Sequence, residues 1–205
     1  YDIDKTTEFG PSHISAYILS VEEGAPLYKK VIKNIELEEH QSRIYYKALS
    51  LLEGKGYDHY EISNFALPGF ESKHNMKYWS FLPYVGIGAG AHSFYDNERY
   101  SNSMSVEEYI GSPEPRTTRD IRTGESPLIE FILTGLRLTR GISLTVMKRR
   151  FKIGLSRKFY ENLESLSVRG FIIFDNDGVD ETIKLPREGF IIADSIILEI
   201  AKDII

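Results

Sequence analysis

Cysteine is missing from all 205 residues. The chain by itself therefore forms no disulfide, builds no thiolate zinc site and ligates no iron–sulfur cluster through sulfur. Long apolar runs are missing too. No stretch approaches the roughly 18 residues that a membrane-spanning helix needs. Nor is there an excess of positive charge: 25 Lys and Arg face 30 Asp and Glu, a net charge of -5. No global field gathers nucleic acid or an anionic membrane. The opening "YDIDKTTEFGPS" has the pattern of neither a signal nor a transit peptide, and a cytoplasmic location is the expectation. A leading methionine is also absent, and the first strand arrives as though in mid-fold. The chain reads as a piece of something longer.

What is present is an ordinary globular composition, 41% hydrophobic and 27% charged. That amount of apolar material serves one large domain or two small ones. Residues 13–21, "HISAYILSV", are a short, mostly apolar run rich in Ile, Val and Tyr, and predict a strand buried on both faces. Residues 35–53 predict a helix, with Asn34 as N-cap and Ile44, Ala48, Leu51 and Leu52 as its apolar face. Gly54 and Gly56 stop it. Residues 57–65, "YDHYEISNF", predict a second strand. Strand, helix, strand is a βαβ unit, which implies a parallel sheet with a right-handed crossover.

Ser72 is placed to start a short helix through Trp79. "PYVGIGAGAHSFYDNERY" predicts extended chain with a turn at Asp96–Asn97, and Ser105 opens another short helix. Residues 111–127 hold three prolines and two glycines and predict a linker. Beyond them come a helix from Ser126-Pro127 to about Leu138, two further helices, a hairpin across "FIIFDNDGVDETIKL" and a final amphipathic helix.

The chemistry-bearing residues cluster in two stretches. In "GIGAGA", Gly86, Gly88 and Gly90 share one side if the segment is extended. Such a run marks either a tight bend at a sheet edge or close approach of a ligand to the backbone. The formal match to a dinucleotide fingerprint fails because no helix follows. In "ESKHNMKYW", His74 and Tyr78 stand at i and i+4 and share a helix face, with Trp79 beside them. An imidazole ligates haem iron and aromatic rings cover a porphyrin face. The same spacing also serves a histidine packed among aromatics, the commoner case. His59 and Glu61 share a strand face, but no metal-ligand spacing such as HExxH accompanies them.

Taken in order, "HISAYILSVEEG", "YEISNFALPGFESKHNMKYW" and "YVGIGAGAHS" resemble the oxygen-independent coproporphyrinogen III oxidase-like radical SAM proteins. The His-Asn-x-x-Tyr-Trp pattern of "HNMKYW" is similar to the branch grouped around a haem chaperone. The resemblance implies an α/β fold over residues 1–112, an incomplete radical SAM (β/α) barrel remnant. An α+β winged-helix-like C-terminal domain, helical with a β-hairpin, would follow over residues 113–205. It implies haem binding at His74, with His74 as the iron ligand and Tyr78 and Trp79 beside it. It implies an S-adenosylmethionine pocket at Tyr17, Ser20, Gly88, Ala91 and His92. The family's four-iron four-sulfur cluster needs a cysteine triad that this chain lacks, so radical chemistry is not expected from these residues alone.

The function implied is that of a haem chaperone that binds haem and S-adenosylmethionine and delivers haem to an acceptor protein. A rival from the same family is the oxidase that decarboxylates porphyrinogen propionates. A rival from another class is a winged-helix nucleic-acid-binding module. Residues 116–170 carry twelve Lys or Arg against five Asp or Glu, and the helix in "SRKFYENLESL" precedes the hairpin as a recognition helix would. Glu161 and Glu164 interrupt its face, and no nucleic-acid partner is expected. An exposed barrel edge along residues 13–20 predicts a dimer through that strand, or a shift of strands.

Overall fold

The computed structural model describes residues 2–17, 24, 26, 37–112, 114, 116–121 and 126–202. The chain divides into two compact units, Tyr1–Ser72 and Lys73–Ile205.

The first unit opens with α1 (Asp2–Glu8), a helix not anticipated from the sequence, followed by β1 (His13–Ser15). The long α2 (Leu37–Glu53) leads into β2 (Asp58–Glu61) and β3 (Asn64–Ala66). Residues 57–65 are thus not one strand but most of a hairpin. Its second arm, β3, lies between β1 and β2 and pairs antiparallel with both. The expected parallel neighbours are therefore separated by an intervening strand. A turn at Ile62–Ser63 breaks the apolar run, and pattern alone does not reveal it.

None of the three residues of β1 is buried, so the expectation of two covered faces fails there, and residues 18–21 of the expected strand lie outside the described residues. Asn34 and most of the turn after the strand lie outside the described residues. The buried stripe of α2 is Tyr45, Leu49 and Leu52, while Ile44 is exposed. The face turns by about one residue because the large Tyr45 ring takes the inward position. Phe65, Ala66, Tyr57 and Tyr60 complete this core.

The second unit starts with α3 (Lys73–Trp79), directly after Ser72 as anticipated. β4 (His92–Tyr95) and β5 (Glu98–Asn102) form a hairpin. Its turn residues Asp96 and Asn97 both take left-handed backbone angles, as a two-residue hairpin loop requires. α4 (Val106–Gly111) is capped by Ser105, whose hydroxyl accepts from the Glu108 amide at 3.2 Å.

β6 (Arg116–Ile121) pairs with β5 along its length and completes a three-stranded sheet. The expected linker at 111–127 therefore contains a strand. Arg119 bonds Glu98 and the Arg116 guanidinium lies 4.2 Å above the Tyr100 ring. Those cross-strand contacts replace the apolar residues that usually betray a strand. The 112/113 boundary read from the sequence falls within this unit, ahead of β6.

α5 (Ser126–Gly135) then leads to β7 (Ile142–Ser143), α6 (Leu144–Phe151) and α7 (Arg157–Val168). β8 (Ile173–Asn176) and β9 (Glu181–Lys184) make the anticipated hairpin, with β9 at the centre of a β7-β9-β8 sheet. A 3₁₀ turn (Arg187–Ile192) precedes α8 (Ala193–Ala201). Leu136, Leu144, Met147, Leu163, Leu166, Ile183, Ile197 and Ile200 have no exposed surface and form the core of these elements. Among the described residues no helix is long and apolar enough to cross a membrane.

α6, α7 and β9 are tied by one polar cluster. Lys148 Nζ donates to Glu181 Oε2 at 2.6 Å, and the Tyr160 hydroxyl donates to the same oxygen at 2.8 Å. The Lys148 bond holds the Glu181 carboxyl below its usual range, and Glu181 in turn raises the Lys148 ammonium. A depressed carboxylate stabilises the fold above its unfolded value and loses that contribution as pH falls through the folded one. The raised lysine contributes below its unfolded value and stops contributing as pH rises through the folded one. Glu181→Gln is expected to cost about 1 kcal/mol at neutral pH. It should also flatten the fall in stability below about pH 4. Urea titrations at several pH values check this; parallel acid limbs in wild type and variant would contradict it.

Candidate functional site

α3 is only two turns long, and its sequence places His74 and Tyr78 one turn apart. Their side chains meet: Tyr78 Oη and His74 Nε2 are 3.0 Å apart, and the rings stand edge to face with centroids 4.8 Å apart. Tyr78 then meets Tyr84 edge to face at 4.4 Å. Tyr84 is fixed at both ends. Its backbone exchanges hydrogen bonds with Phe94 at 2.7 and 2.9 Å, and its hydroxyl accepts from Arg99 Nη1 at 3.0 Å. Arg99 lies over the Phe94 ring and forms an ion pair with Glu130 of α5. Burial works against the Arg99 charge, but the bond and charge of Glu130 outweigh it and hold the guanidinium above its ordinary value.

The glycine stretch is extended only at its start. Gly88 and Gly90 take positive φ, +110° and +71°, and the chain turns there. At Gly86 an added Cβ would stand 2.2 Å from the His92 carbonyl oxygen, so the chain doubles back too closely for a side chain. The bend satisfies itself. The Gly86 amide donates to Ser93 Oγ at 2.9 Å and the Gly88 amide to Tyr109 Oη at 3.0 Å. Asn102 Nδ2 donates to the carbonyls of Gly86 and Gly88.

Bend and helix together line a cleft of about 660 Å³. His74, Lys77 and Tyr78 enter it from α3, and Tyr84, Val85, Gly86, Ile87, Ala91 and His92 from the bend and β4. His74 and His92, far apart in the chain, thus share one wall system. Residues assigned by resemblance to haem (His74, Tyr78) and to S-adenosylmethionine (Ala91, His92) meet in a single cleft. Gly88 belongs to the bend but is not among the residues that line the cleft.

Trp79 does not line this cleft. Five positions along a helix are about 140° around its axis, so Trp79 leaves the face of His74. It lines a second cavity of about 370 Å³ with Phe131, Leu138, Arg140, Ile142, Val146 and Arg150 among others. There the Arg137 guanidinium lies 5.7 Å from its ring, and its buried Nε1 has no hydrogen-bond partner. Tyr17 belongs to the first unit and is 76% exposed. Ser20 lies outside the described residues.

His59 stacks on Phe65 at 4.8 Å, while Glu61 is fully buried and accepts from Asn64. Among the described residues no three His, Asp or Glu side chains gather as a metal site. Sequence reasoning missed Tyr84, Arg99, Asn102 and Tyr109. Their roles depend on strand pairing and on contacts across long stretches of chain, and no local pattern marks them.

The fold matches a known class. The solved structure of coproporphyrinogen III oxidase (HemN) from Escherichia coli, described as a radical SAM enzyme, superposes with a TM-score of 0.67 at 13% identity. The match covers 97% of this chain and 50% of that one. The architecture is therefore shared with half of a radical SAM protein, in an assembly of mixed helices and sheets.

No family model matches the sequence. Individual relatives do. The chain is 30% identical over 188 residues to the heme chaperone HemW of Lactococcus lactis, covering 89% of this chain and 50% of that protein. It is 34% identical over 181 residues to heme chaperone HemW of Bacillus subtilis, covering 84% and 47%. It is 30% identical over 203 residues to the mitochondrial radical S-adenosyl methionine domain-containing protein 1 of Danio rerio, covering 90% and 45%. The chain is thus a homologue of the proteins named heme chaperone HemW over most of its length, and spans about half the length of these relatives. The resemblance read from "HNMKYW" and its neighbours holds.

Proposed function

We propose that this chain is part of a haem chaperone, in which the cleft between α3 and the glycine bend receives haem before its transfer to an acceptor protein. The observation that carries this reading is the meeting of His74 with two tyrosine rings, His92 and Lys77 around one cleft. The donor set suits the cargo: an imidazole for iron, aromatic edges for a flat macrocycle and an ammonium for a propionate. His74 is the proposed iron ligand. Tyr78 is proposed to stand beside the cargo, and Trp79 to brace α3 from its other side.

The cluster that the radical SAM fold implies does not fit these residues, since the chain offers no thiolate. No step is assigned to it here. S-adenosylmethionine supplies a radical source in such proteins only when joined to that cluster. We assign its contacts in the second unit to Ala91, His92 and the Gly88 bend; Tyr17 and Ser20 remain what the family resemblance implies for the first unit. Residues 113–205 are proposed as the winged-helix-like C-terminal domain, residues 1–112 as the barrel portion, and the cytoplasm as the location. β1 is an edge strand among the described residues, and its pairing with a second copy is proposed as a route to a dimer.

Titrating hemin into the longest natural protein carrying this sequence, with the Soret band as readout, tests the reading. His74→Ala should lose the ligated spectrum and at least about tenfold in affinity, at or beyond the cost seen when even the partners of a metal ligand are removed. An unchanged spectrum and affinity would exclude His74 as ligand.

The oxidase reading has the fold match on its side, but at 13% identity against 30–34% for the relatives named as chaperones. Part of the positive charge behind the nucleic-acid reading is engaged within the chain. Arg119, Arg137, Lys148, Arg157 and Arg169 are ion-paired within the chain. Arg116 stacks on Tyr100, and Arg140 and Arg150 bond Ser80 and Phe81.

A further inference from the structure

We propose that the Tyr78 hydroxyl is a displaceable cap on the nitrogen of His74 that iron must reach, so that it opposes haem binding and speeds haem release. This rests on the reading of His74 as the ligand.

An imidazole coordinates a metal through the lone pair of a ring nitrogen. Nδ1 sits next to Cβ and close to the backbone of α3. Nε2 is the outer nitrogen of the ring, farther from the backbone, and is taken as the one a haem reaches. In this structure Nε2 is 3.0 Å from Tyr78 Oη. Both proton arrangements close it. If the phenol donates, the Nε2 lone pair is already used. If Nε2–H donates to the phenol, that nitrogen has no lone pair to give. Iron enters only when the bond opens.

The cap is built to return. Tyr78 is one helical turn from His74, so the two side chains meet without any long-range rearrangement. Its ring is held at 4.4 Å against Tyr84, which is bonded to Arg99 and through it to Glu130. The bond itself is exposed, and such bonds are worth little net against water. Competition of this strength lowers affinity about threefold to tenfold. That is a useful size for a protein that must give its cargo up: the ligand still binds, and the hydroxyl reoccupies Nε2 as the iron leaves.

Three measurements on the longest natural protein carrying this sequence decide it, with hemin as the probe and Tyr78→Phe as the variant. The phenyl ring keeps the Tyr84 contact and removes only the oxygen. Hemin should bind about threefold to tenfold more tightly to Tyr78→Phe, and its loss to a haem-scavenging apoglobin should slow by a similar factor. In the haem-free protein the His74 Nε2 resonance in a ¹⁵N spectrum should move when the hydroxyl is removed. If Tyr78 instead orients and supports the ligand, Tyr78→Phe would bind hemin about tenfold to a hundredfold more weakly, and the proposal falls. Unchanged affinity and release, or an unmoved Nε2 resonance, also overturns it. His74→Ala separates the two readings. If it alone abolishes ligation while Tyr78→Phe does nothing, the cap is wrong and the ligand stands. If His74→Ala binds as wild type, the ligand reading fails and the cap with it.

Discussion

Gly141→Ala is expected to remove several kcal/mol of stability from the second unit, of the order of 3–5. Gly141 lies in the bend between α5 and β7, with φ at +70°. A Cβ there would stand 2.1 Å from the Ile183 carbonyl oxygen, 2.5 Å from Lys184 Cβ and 2.8 Å from Lys184 Cα. All three belong to β9, the central strand of its sheet, and Ile183 is the registered partner of Ile142 in β7. Neither neighbour yields without opening that pairing. The left-handed backbone adds about 1–2 kcal/mol for any residue with a side chain. Against a typical total of about 5–15 kcal/mol, such a loss is severe. Gly178→Ala is the control, because φ is +82° there but nothing lies within 4 Å of an added Cβ. It should cost only the backbone part. Urea unfolding of both variants measures the difference; equal midpoints would show that the collision is relieved freely.

Phe81→Ala should destabilise by about 3–5 kcal/mol. The ring is 3% exposed. It packs on Phe94 at 4.7 Å and on Phe131 and Phe151 at 6.4 Å, and the Arg150 guanidinium lies 5.0 Å above it. Arg150 also donates to the Phe81 carbonyl at 2.5 Å, and burial among these rings lowers its hold on the proton. The backbone of Phe81 is left-handed, φ 52°, which a buried aromatic tolerates only because its packing outweighs the strain. An unusual order follows. Phe81→Gly loses the same ring but relieves the backbone, so it should be more stable than Phe81→Ala by about 1 kcal/mol. In an ordinary helical or extended site alanine would be the better of the two. A Phe81→Ala variant within 1 kcal/mol of wild type would mean that the aromatic cluster repacks around the gap.

Much of the second unit was legible because its signals are local. Ser105 and Glu108 make a cap within one turn, Asp96 and Asn97 carry the backbone their hairpin needs, and the apolar spacing of α5 to α8 marks helices whatever they pack against. The helix through "KHNMKYW" was legible in the same way, and so was the shared face of His74 and Tyr78. Strand partners were not. The run 57–65 looks continuous, yet it folds back at Ile62–Ser63 and inserts β3 between β1 and β2. β6 looks like a linker because its cross-strand partners, Glu98 and Tyr100, are distant in sequence. The glycine stretch looks extended, yet it turns at Gly88 and Gly90 around Asn102 and Tyr109.

By itself the sequence determined which residue types this chain can and cannot bring to a site: an imidazole and a phenol one helical turn apart, and no thiolate anywhere. Bonds within a turn depend on spacing alone, and spacing is written in the chain. Only the tertiary structure decided that His92 joins His74 at one cleft and that Trp79 turns away to another. It also set Arg99 and Glu130 behind the tyrosines. Those contacts join residues many helical turns apart in the chain, and their geometry exists only once the strands have paired and the helices have packed.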